Sequence, residues 1–300
     1  MPLDLSQILV IGISSRALFD LEKENEIFDR DGLDTYTRYQ LEHIDDVPRP
    51  GTGLRLIKNF LSLNSDIDNP KVEVLILSRN NAATSLRLTR AIEYYGLEIT
   101  RSAWTGGEPI SKYLGPYKVD LFLSANESDV QDAINAGFAA GRIYKFDKYR
   151  PETRADKHKV KIAFDGDAVL FSEESEKIYK EKGLDAFIAH EKENAMKPLP
   201  EGPFAPLLKA LAKAQAEFTA LDAPIRTALI TARNSPAHER VVRTLAEWGV
   251  RVDEVHFLGG VAKREIVAAF GADIYFDDQD VHCAPAARDV PTAIVPYKTS

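Results

Sequence analysis

The sequence predicts an α/β fold made of two related units, each with a parallel sheet of the Rossmann-like type. Seven short apolar runs alternate with amphipathic helical patterns, which is typical of buried parallel strands joined by helices. A stretch of the first half also recurs in the second half, with strands, helices and glycine turns in the same order. We therefore expect an internal duplication, with units at residues 1–150 and 151–300.

The seven apolar runs are the predicted strands. They cover residues 8–13, 72–77, 119–123, 160–164, 227–231, 272–276 and 292–296. Between two of them, Leu88, Ile92 and Tyr95 share one face of a helix that stops at Gly96, and the same pattern recurs before Gly249. Helices that stop at glycine between buried strands favour parallel sheets with helices packed against them.

The internal repeat places residues 74–99 over residues 228–252. The aligned pairs are Arg79-Asn80 with Arg233-Asn234, Gly96 with Gly249, and Gly106-Gly107 with Gly259-Gly260. The polar segment 145–159 is predicted to connect the two units, because it is charged and contains a proline. The period of the repeat is far too long for a solenoid, so it indicates two copies of one α/β unit.

Composition excludes several classes of protein. The chain of 300 residues has 38 Lys and Arg against 46 Asp and Glu, a net charge of −8, which argues against binding to nucleic acid polymers. The first apolar run has no basic leader and is shorter than the ~20 residues of a membrane helix. Cys283 is the single cysteine and cannot form an internal disulfide. We expect a soluble cytoplasmic protein without a membrane partner, and the sequence leaves a homo-oligomer open.

Acidic residues follow the predicted strands of the second unit only. The candidate groups are Asp165 and Asp167 after strand 160–164, Thr231 at the end of strand 227–231, Lys263 after a Gly-Gly turn, and Asp277 and Asp278 after strand 272–276. Ligands of parallel sheets bind at the carboxyl ends of the strands, so these side chains are expected to face one crevice.

These residue types favour phosphoryl transfer. Carboxylates at one edge form an oxygen-rich site that suits Mg²⁺, and one of them can attack phosphorus. A lysine and a threonine hydroxyl can stabilise the charge on the transferred group, and a second carboxylate can act as general acid and base. Each of these short motifs is weak evidence on its own, because Asp-x-Asp is often a surface turn and Asp-Asp is often part of a solvated loop. Their common position behind separate strands indicates an active site.

The chain also resembles the cytosolic 5'-nucleotidase type I family, within the phosphatases of the haloacid dehalogenase type. The residues that carry this resemblance are 14–22, 35–43, 105–107, 121–125, 163–176, 190–194, 202–204, 229–234 and 276–279. The resemblance implies a magnesium-dependent 5'-nucleotidase that hydrolyses nucleoside 5'-monophosphates to nucleoside and phosphate. The reaction would pass through an aspartyl-phosphate.

The resemblance also implies a role for each candidate residue. Asp165 would be the nucleophile and a magnesium ligand, and Asp167 the general acid and base, with its backbone carbonyl on the metal. Thr231 and Lys263 would bind the phosphoryl group. Asp277 and Asp278 would complete the magnesium site.

The resemblance further implies a haloacid-dehalogenase-like second unit with a small helical cap at about residues 171–224. The interval between Asp167 and Thr231 supports an insertion, because it is too long for a plain crossover. The substrate contacts implied there are Phe171, His190, Asn194 and Lys197, with Arg233 and Asn234 at the rim of the crevice. The alternatives are an insertion that only packs and a structural role for the Arg-Asn pair.

The first unit is predicted to be catalytically silent, because it lacks the carboxylates. Our alignment places Leu77 at the position of Thr231, Ile110 at that of Lys263, and Ser124-Ala125 at that of Asp277-Asp278. Its crevice, with Ser14, Ser15, Arg16 and the turn at 106–107, is either scaffold or a place for nucleotide binding or regulation.

Two rival functions remain at this point. One is a phosphatase of the same mechanism that acts on a non-nucleotide metabolite, and the other is a nucleotide-binding regulator without enzymatic activity. The preference for base and sugar cannot be predicted, because the sequence contains no motif that reads a base.

Overall fold

The computed structural model describes residue 5 and residues 8–64, 70–146, 159–216, 218–219 and 222–299. Within these residues the chain forms eleven helices and twelve strands, so the predicted α/β class is confirmed. Among them no helix is both long and apolar enough to cross a membrane. The predicted connector at 145–159 lies largely outside the described residues.

The elements are numbered in chain order. The strands are β1 (Leu9–Ile13), β2 (Phe19–Asp20), β3 (Arg49–Pro50), β4 (Val72–Ser78), β5 (Arg101–Trp104), β6 (Leu121–Ser124), β7 (Ala140–Ile143), β8 (Val160–Phe164), β9 (Ile225–Thr231), β10 (Glu254–Phe257), β11 (Ile274–Asp277) and β12 (Thr292–Ile294). The helices are α1 (Ser15–Leu18), α2 (Glu22–Glu42), α3 (Leu54–Leu61), α4 (Ala82–Tyr94), α5 (Ser111–Leu114), α6 (Glu127–Asn135), α7 (Glu174–Glu193), α8 (Ala205–Gln215), α9 (His238–Glu247), α10 (Arg264–Phe270) and α11 (Asp280–Ala286).

Ten strands form one central sheet in the order β10-β9-β8-β11-β12-β7-β6-β1-β4-β5. Every neighbouring pair is parallel except β12 and β7, which are antiparallel and join the two halves of the chain. Counted from either outer edge towards that junction, the strands of each half follow the same chain order. Because the junction is antiparallel, the strands of the two halves run in opposite directions. Each half therefore has its own carboxyl edge, where a parallel sheet binds its ligands.

Three of the ten strands of the central sheet were not among the predicted apolar runs. Strands β5 and β10 lie at the outer edges of the sheet and are partly exposed, so they lack a continuous apolar run. Strand β7 is only four residues long and contains Gly141 and Arg142. The hydrophobic pattern therefore predicted the buried centre of the sheet better than its edges and its junction.

A kinked helix lies between the first two central-sheet strands of each half. Helix α2 bends at Gly32 and α7 bends at Gly183, and both glycines have a left-handed φ, of 80° and 81°. A shorter helix, α3 or α8, comes next in each half. Among the described residues, each half therefore has a long kinked helix followed by a shorter one.

The hydrogen-bond register of the sheet changes one detail of the sequence alignment. Thr231 pairs with Phe257 on β10, and Ser78 pairs with Trp104 on β5. Ser78, and not Leu77, therefore has the place in its half that Thr231 has in the other. The alignment predicted from the sequence is therefore wrong by one residue at the end of this strand. It matched Arg79-Asn80 with Arg233-Asn234, and this match moved the one-residue gap of the alignment past the end of the strand.

The loop after β8 is held by close backbone packing at Gly202. The Gly202 N–H donates to the Leu170 carbonyl at 2.9 Å. A Cβ on Gly202 would lie 2.5 Å from the Val169 carbonyl oxygen and still closer to that of Phe171. No side chain fits there, so this glycine fixes the loop that carries Asp167.

Gly202→Ala is expected to lower the free energy of unfolding by about 1–3 kcal/mol, because the added carbon meets backbone that cannot move aside. Chemical denaturation measures the effect. Gly115→Ala is the matched control, because its Cβ would meet only the Phe138 ring at an ordinary 3.5 Å. Equal stability of the two variants would contradict this account of the loop.

Candidate active site

The side chains predicted to share a crevice do come together at the carboxyl edge of the second half. Asp165 follows β8, Thr231 ends β9, Asp277 ends β11, and Lys263 precedes the first turn of α10. All of them are buried, as is Asp278. The Asp165 N–H donates to the Phe276 carbonyl at 2.8 Å, which ties this aspartate to β11 and brings β8 and β11 carboxylates to one point.

Three carboxylates form a cluster that could hold a metal ion. Oxygens of Asp165, Asp277 and Asp278 lie within 4.8 Å of one another. Asp278 Oδ1 is buried and has no hydrogen-bond partner among the described residues. A buried carboxylate oxygen without a partner is costly unless a cation satisfies it. Oxygen donors of this kind fit a hard divalent cation such as Mg²⁺.

Lys263 lies between two of these carboxylates. Its Nζ is 2.8 Å from Asp165 Oδ1 and 2.8 Å from Asp277 Oδ2. Burial acts to lower the pKa of Lys263, but Asp165 and Asp277 outweigh it, and the pKa lies above its ordinary value. The ammonium therefore stays charged over the whole physiological range, as a group that binds a phosphoryl oxygen must.

The carboxylates are crowded when no cation is bound. Burial raises the pKa of Asp165 well above its usual value; Lys263 opposes this rise, and Asp277 and Asp278 add to it. Burial also raises the pKa of Asp278 to about 7, against a hydrogen bond from Tyr297 that lowers it. A divalent cation would remove this repulsion and favour the ionised carboxylates.

Asp277 is the most firmly held of the three. It accepts hydrogen bonds from the Tyr275 hydroxyl and, at 2.9 Å, from the Gln279 N–H, in addition to its contact with Lys263. The Tyr297 hydroxyl similarly contacts Asp278 and lies 2.9 Å from Glu176 Oε2. The sequence reasoning missed both tyrosines. A tyrosine two residues before Asp277 is on the same side of the strand, which was the available signal for Tyr275.

Asp167 faces a different partner. Arg233 holds it in a bidentate pair, with Nε and Nη2 at 2.8 and 2.6 Å from its two oxygens, and Arg233 Nη1 is 2.5 Å from Glu191 on α7. Glu191 also accepts hydrogen bonds from Ser175 at 2.7 Å and Arg240 at 3.0 Å. This buried chain of charges links the loop after β8 to the kinked helix α7.

The neighbouring arginines set the ionisation of Glu191. Burial acts to raise the pKa of Glu191, but Arg233, Ser175 and Arg240 outweigh it and hold the pKa below its usual range. The sequence reasoning did not select Glu191 or Arg240. Glu191 lies within the segment 190–194 that carries the family resemblance, but its partners are distant in the chain.

Arg233→Met is expected to lower the free energy of unfolding by about 3–5 kcal/mol, because it removes one of the two arginines that neutralise the buried Glu191 and also the bidentate partner of Asp167. The matched control is Arg79→Met in the first half. Arg79 contacts Asp129 at 2.5 Å but is one-third exposed, so its loss should cost about 1 kcal/mol or less. Urea denaturation of both variants measures the difference. Similar losses of unfolding free energy in the two variants would contradict a large contribution of the buried charges around Arg233 to stability.

The remaining predicted contacts are dispersed. Phe171 is fully buried, and its ring packs 5.5 Å from that of Trp248. His190 contacts Glu174 and Glu191 at 3.3 Å, and Asn194 donates to the His190 carbonyl at 2.9 Å. Among the described contacts none of these joins Asp165. His190 and Asn194 therefore lie at the end of α7, whereas Phe171 lies on the loop after β8, where its N–H donates to the Gly166 carbonyl at 2.9 Å.

Two further predicted contacts lie at the surface. Lys197 is exposed and donates to Asn194 at 3.2 Å. Asn234 is also exposed and lies in the turn after β9, where its carbonyl accepts from the His238 N–H at 3.1 Å. Of the predicted rim pair, only Arg233 touches a carboxylate of the site.

Comparison with known proteins agrees with this arrangement. The family model for 5'-nucleotidases matches residues 1–300. Human cytosolic 5'-nucleotidase 1B is 35% identical over 291 residues, which are 93% of this chain and 47% of that protein, so the chain spans about half the length of this relative. A solved structure of a Thermobaculum terrenum O-GlcNAc transferase mutant is 14% identical and covers 94% of this chain and 51% of that chain, with a TM-score of 0.22 that carries no weight for the fold. The chain belongs to the 5'-nucleotidase family.

Proposed function

We propose that the protein is a magnesium-dependent 5'-nucleotidase that hydrolyses nucleoside 5'-monophosphates to nucleoside and phosphate. The observation that carries the proposal is the cluster of three buried carboxylates, two of them in contact with Lys263, in a chain of the 5'-nucleotidase family. The orphaned oxygen of Asp278 supports a metal ion as part of the site. Bound Mg²⁺ would neutralise phosphate oxygens and lower the repulsion between substrate and carboxylates.

Asp165 is the proposed nucleophile. Its Oδ1 accepts from the Gly166 N–H at 2.6 Å and contacts Lys263, which leaves Oδ2 for attack. A bond forms between Oδ2 and phosphorus while the bond from phosphorus to the 5' oxygen breaks, and the product is an aspartyl-phosphate. Lys263 and the Thr231 hydroxyl bind the phosphoryl oxygens as charge spreads over them.

Asp167 is the proposed general acid and base. It gives a proton to the leaving 5' oxygen and later takes a proton from the water that attacks phosphorus and releases Asp165. In the present arrangement both oxygens of Asp167 accept hydrogen bonds from Arg233. Substrate must therefore draw Asp167 away from Arg233 before the first proton transfer.

Asp165, Asp277 and Asp278 are the proposed metal ligands, with the backbone carbonyl of Asp167. The substrate contacts Phe171, His190, Asn194, Lys197, Arg233 and Asn234 remain predictions. Arg233 is the one with a direct link to the site, through Asp167.

We also propose that the two halves are copies of one unit, at residues 1–150 and 151–300. The shared strand order and the two kinked helices support this. The segment at 171–224 would then be a repeated part of the unit that covers the active site in the second half, through Glu191 on α7. A cytoplasmic location is proposed from the name of the human relative.

A panel of monophosphates tests the function. Purified protein with Mg²⁺ should release phosphate from AMP, IMP or deoxynucleotides faster than from simple sugar phosphates. Preference for a sugar phosphate would replace the proposed substrate class while keeping the mechanism. No phosphate release from any member of the panel would contradict the enzymatic function.

A further inference from the structure

A cavity of about 430 Å³ lies at the carboxyl edge of the first half, where no catalytic group is placed. Its polar lining includes Ser14, Arg16, Ser78 and Ser124. Small-molecule sites commonly have volumes of roughly 300–1,000 Å³, so this cavity is large enough for one organic ligand.

These lining residues have the places that the catalytic side chains have in the second half. The Ser14 N–H donates to the Leu123 carbonyl at 2.8 Å, just as the Asp165 N–H donates to Phe276. The same register gives the pairs Ser14 with Asp165, Ser78 with Thr231 and Ser124 with Asp277. Counting onward from the strand ends pairs Arg16 with Asp167 and Ala125 with Asp278, and Ile110 and Lys263 each precede the first turn of the helix after the Gly-Gly turn. The cavity is therefore the counterpart of the active site.

The exchange of residues changes the electrostatics of the crevice. Four carboxylates and one lysine give way to two serines, an alanine, an isoleucine and one arginine. A crevice without these carboxylates no longer repels phosphate, so an anion can bind there without a metal ion. The Arg16 Nε is buried and has no hydrogen-bond partner among the described residues, which leaves a donor for such an anion.

The two acids that line the cavity are already neutralised. Glu24 is paired with Arg87 at 2.5 Å, and Asp129 is paired with Arg79 at 2.5 Å. Within the described part of the chain, the one ion pair of Arg16 is with the exposed Glu22, at 3.3 Å. Arg16 is therefore the cation of the cavity that is most available to a ligand.

The cavity also has an apolar side. Phe28 and Leu33 line it and are about half exposed, and the largely buried Tyr36 and Leu21 line it as well. Exposed aromatic and aliphatic side chains beside a polar crevice are typical of a site that covers a flat ring. A ligand with an anionic end and an aromatic ring would satisfy both sides.

We propose that the first half binds a nucleoside 5'-monophosphate intact and without a metal ion, with its phosphate near Arg16 and the serine hydroxyls. The choice of a nucleotide rests on the proposed function, because the cavity is the counterpart of that active site. The ligand is not hydrolysed there, since Ser14 replaces the attacking carboxylate and no acid stands at the position of Asp167.

Equilibrium dialysis of AMP against the full chain in EDTA tests this site. Wild type should bind AMP, and Arg16→Ala should weaken binding by roughly tenfold or more, because a charge-assisted contact is lost. Phe28→Ala should weaken binding of AMP but not of inorganic phosphate. The matched control is Arg90→Ala, an exposed arginine of the same half that does not line the cavity and should bind as wild type does.

Binding of AMP in EDTA that is unchanged in Arg16→Ala, or absent in wild type, would overturn the proposal. Binding that is lost only in Asp165→Asn would place the ligand in the other half and also overturn it. Hydrolysis is measured separately with Mg²⁺, so a failure of the proposed function leaves binding at Arg16 as an independent result.

Discussion

Asp165→Asn is expected to lower kcat for phosphate release by on the order of 10³-fold or more, because the amide cannot form the bond to phosphorus. The substitution keeps the size of the side chain and an oxygen that accepts from the Gly166 N–H. Burial raises the pKa of Asp165, so removing its charge should leave the melting temperature in EDTA equal or higher. Phosphate release with Mg²⁺ and thermal unfolding are the two measurements.

Asp273→Asn is the matched control for this variant. Asp273 is also buried, and burial raises its pKa, but it lies before β11, at the opposite end of the strand from Asp277. It accepts from the Lys161 N–H at 2.9 Å and should affect stability rather than turnover. If Asp165→Asn keeps most of its activity, the nucleophile is a different group.

Removal of the metal is the second change with a large expected effect. EDTA should abolish phosphate release, and Mg²⁺ at about a hundred times its Kd should stabilise wild type by about 2.7 kcal/mol, a rise of several degrees in Tm. Asp278→Asn should lose most of that rise, because it removes a charge from the cluster and replaces the carboxylate that has the orphaned oxygen. Asp289→Asn, at an exposed pair with Arg264, should keep it.

The pH dependence of stability follows from the same carboxyl group. The pKa of Asp278 is raised to about 7 in the folded protein, above its unfolded value. Its contribution to stability in EDTA is therefore fully present below the unfolded pKa and is lost as pH rises through about 7. Between pH 5 and pH 8, roughly spanning that range, Tm should fall more for wild type than for Asp278→Asn. If Tm changed with pH equally in wild type and in Asp278→Asn, the result would contradict the proposed repulsion between the buried carboxylates.

The carboxylate cluster could be predicted because its position depends on simple rules. Asp165 and Asp277 each follow an apolar strand, and parallel strands bring their carboxyl ends to one edge. The buried core of the sheet has the same origin, since each of the seven apolar runs lies at a strand of the central sheet.

The links around Asp167 could not be predicted in the same way. Arg233 and Glu191 are 42 residues apart, and their contact depends on how α7 bends at Gly183. Nothing in the hydrophobic pattern encodes that bend. The alignment also failed by one residue at Ser78, because matching letters does not fix the hydrogen-bond register of a strand.

The central claim is that the second half transfers a phosphoryl group to Asp165. The most direct test is a single turnover with a nucleoside monophosphate labelled at its phosphate, quenched in acid and followed by peptide mapping. The label should appear on the peptide that contains Asp165 in wild type, appear much more slowly in Asp167→Asn, which lacks the acid for the first step as well as the base for the second, and be absent from Asp165→Asn. Hydrolysis by wild type without any labelled peptide, or label retained in Asp165→Asn, would contradict the account.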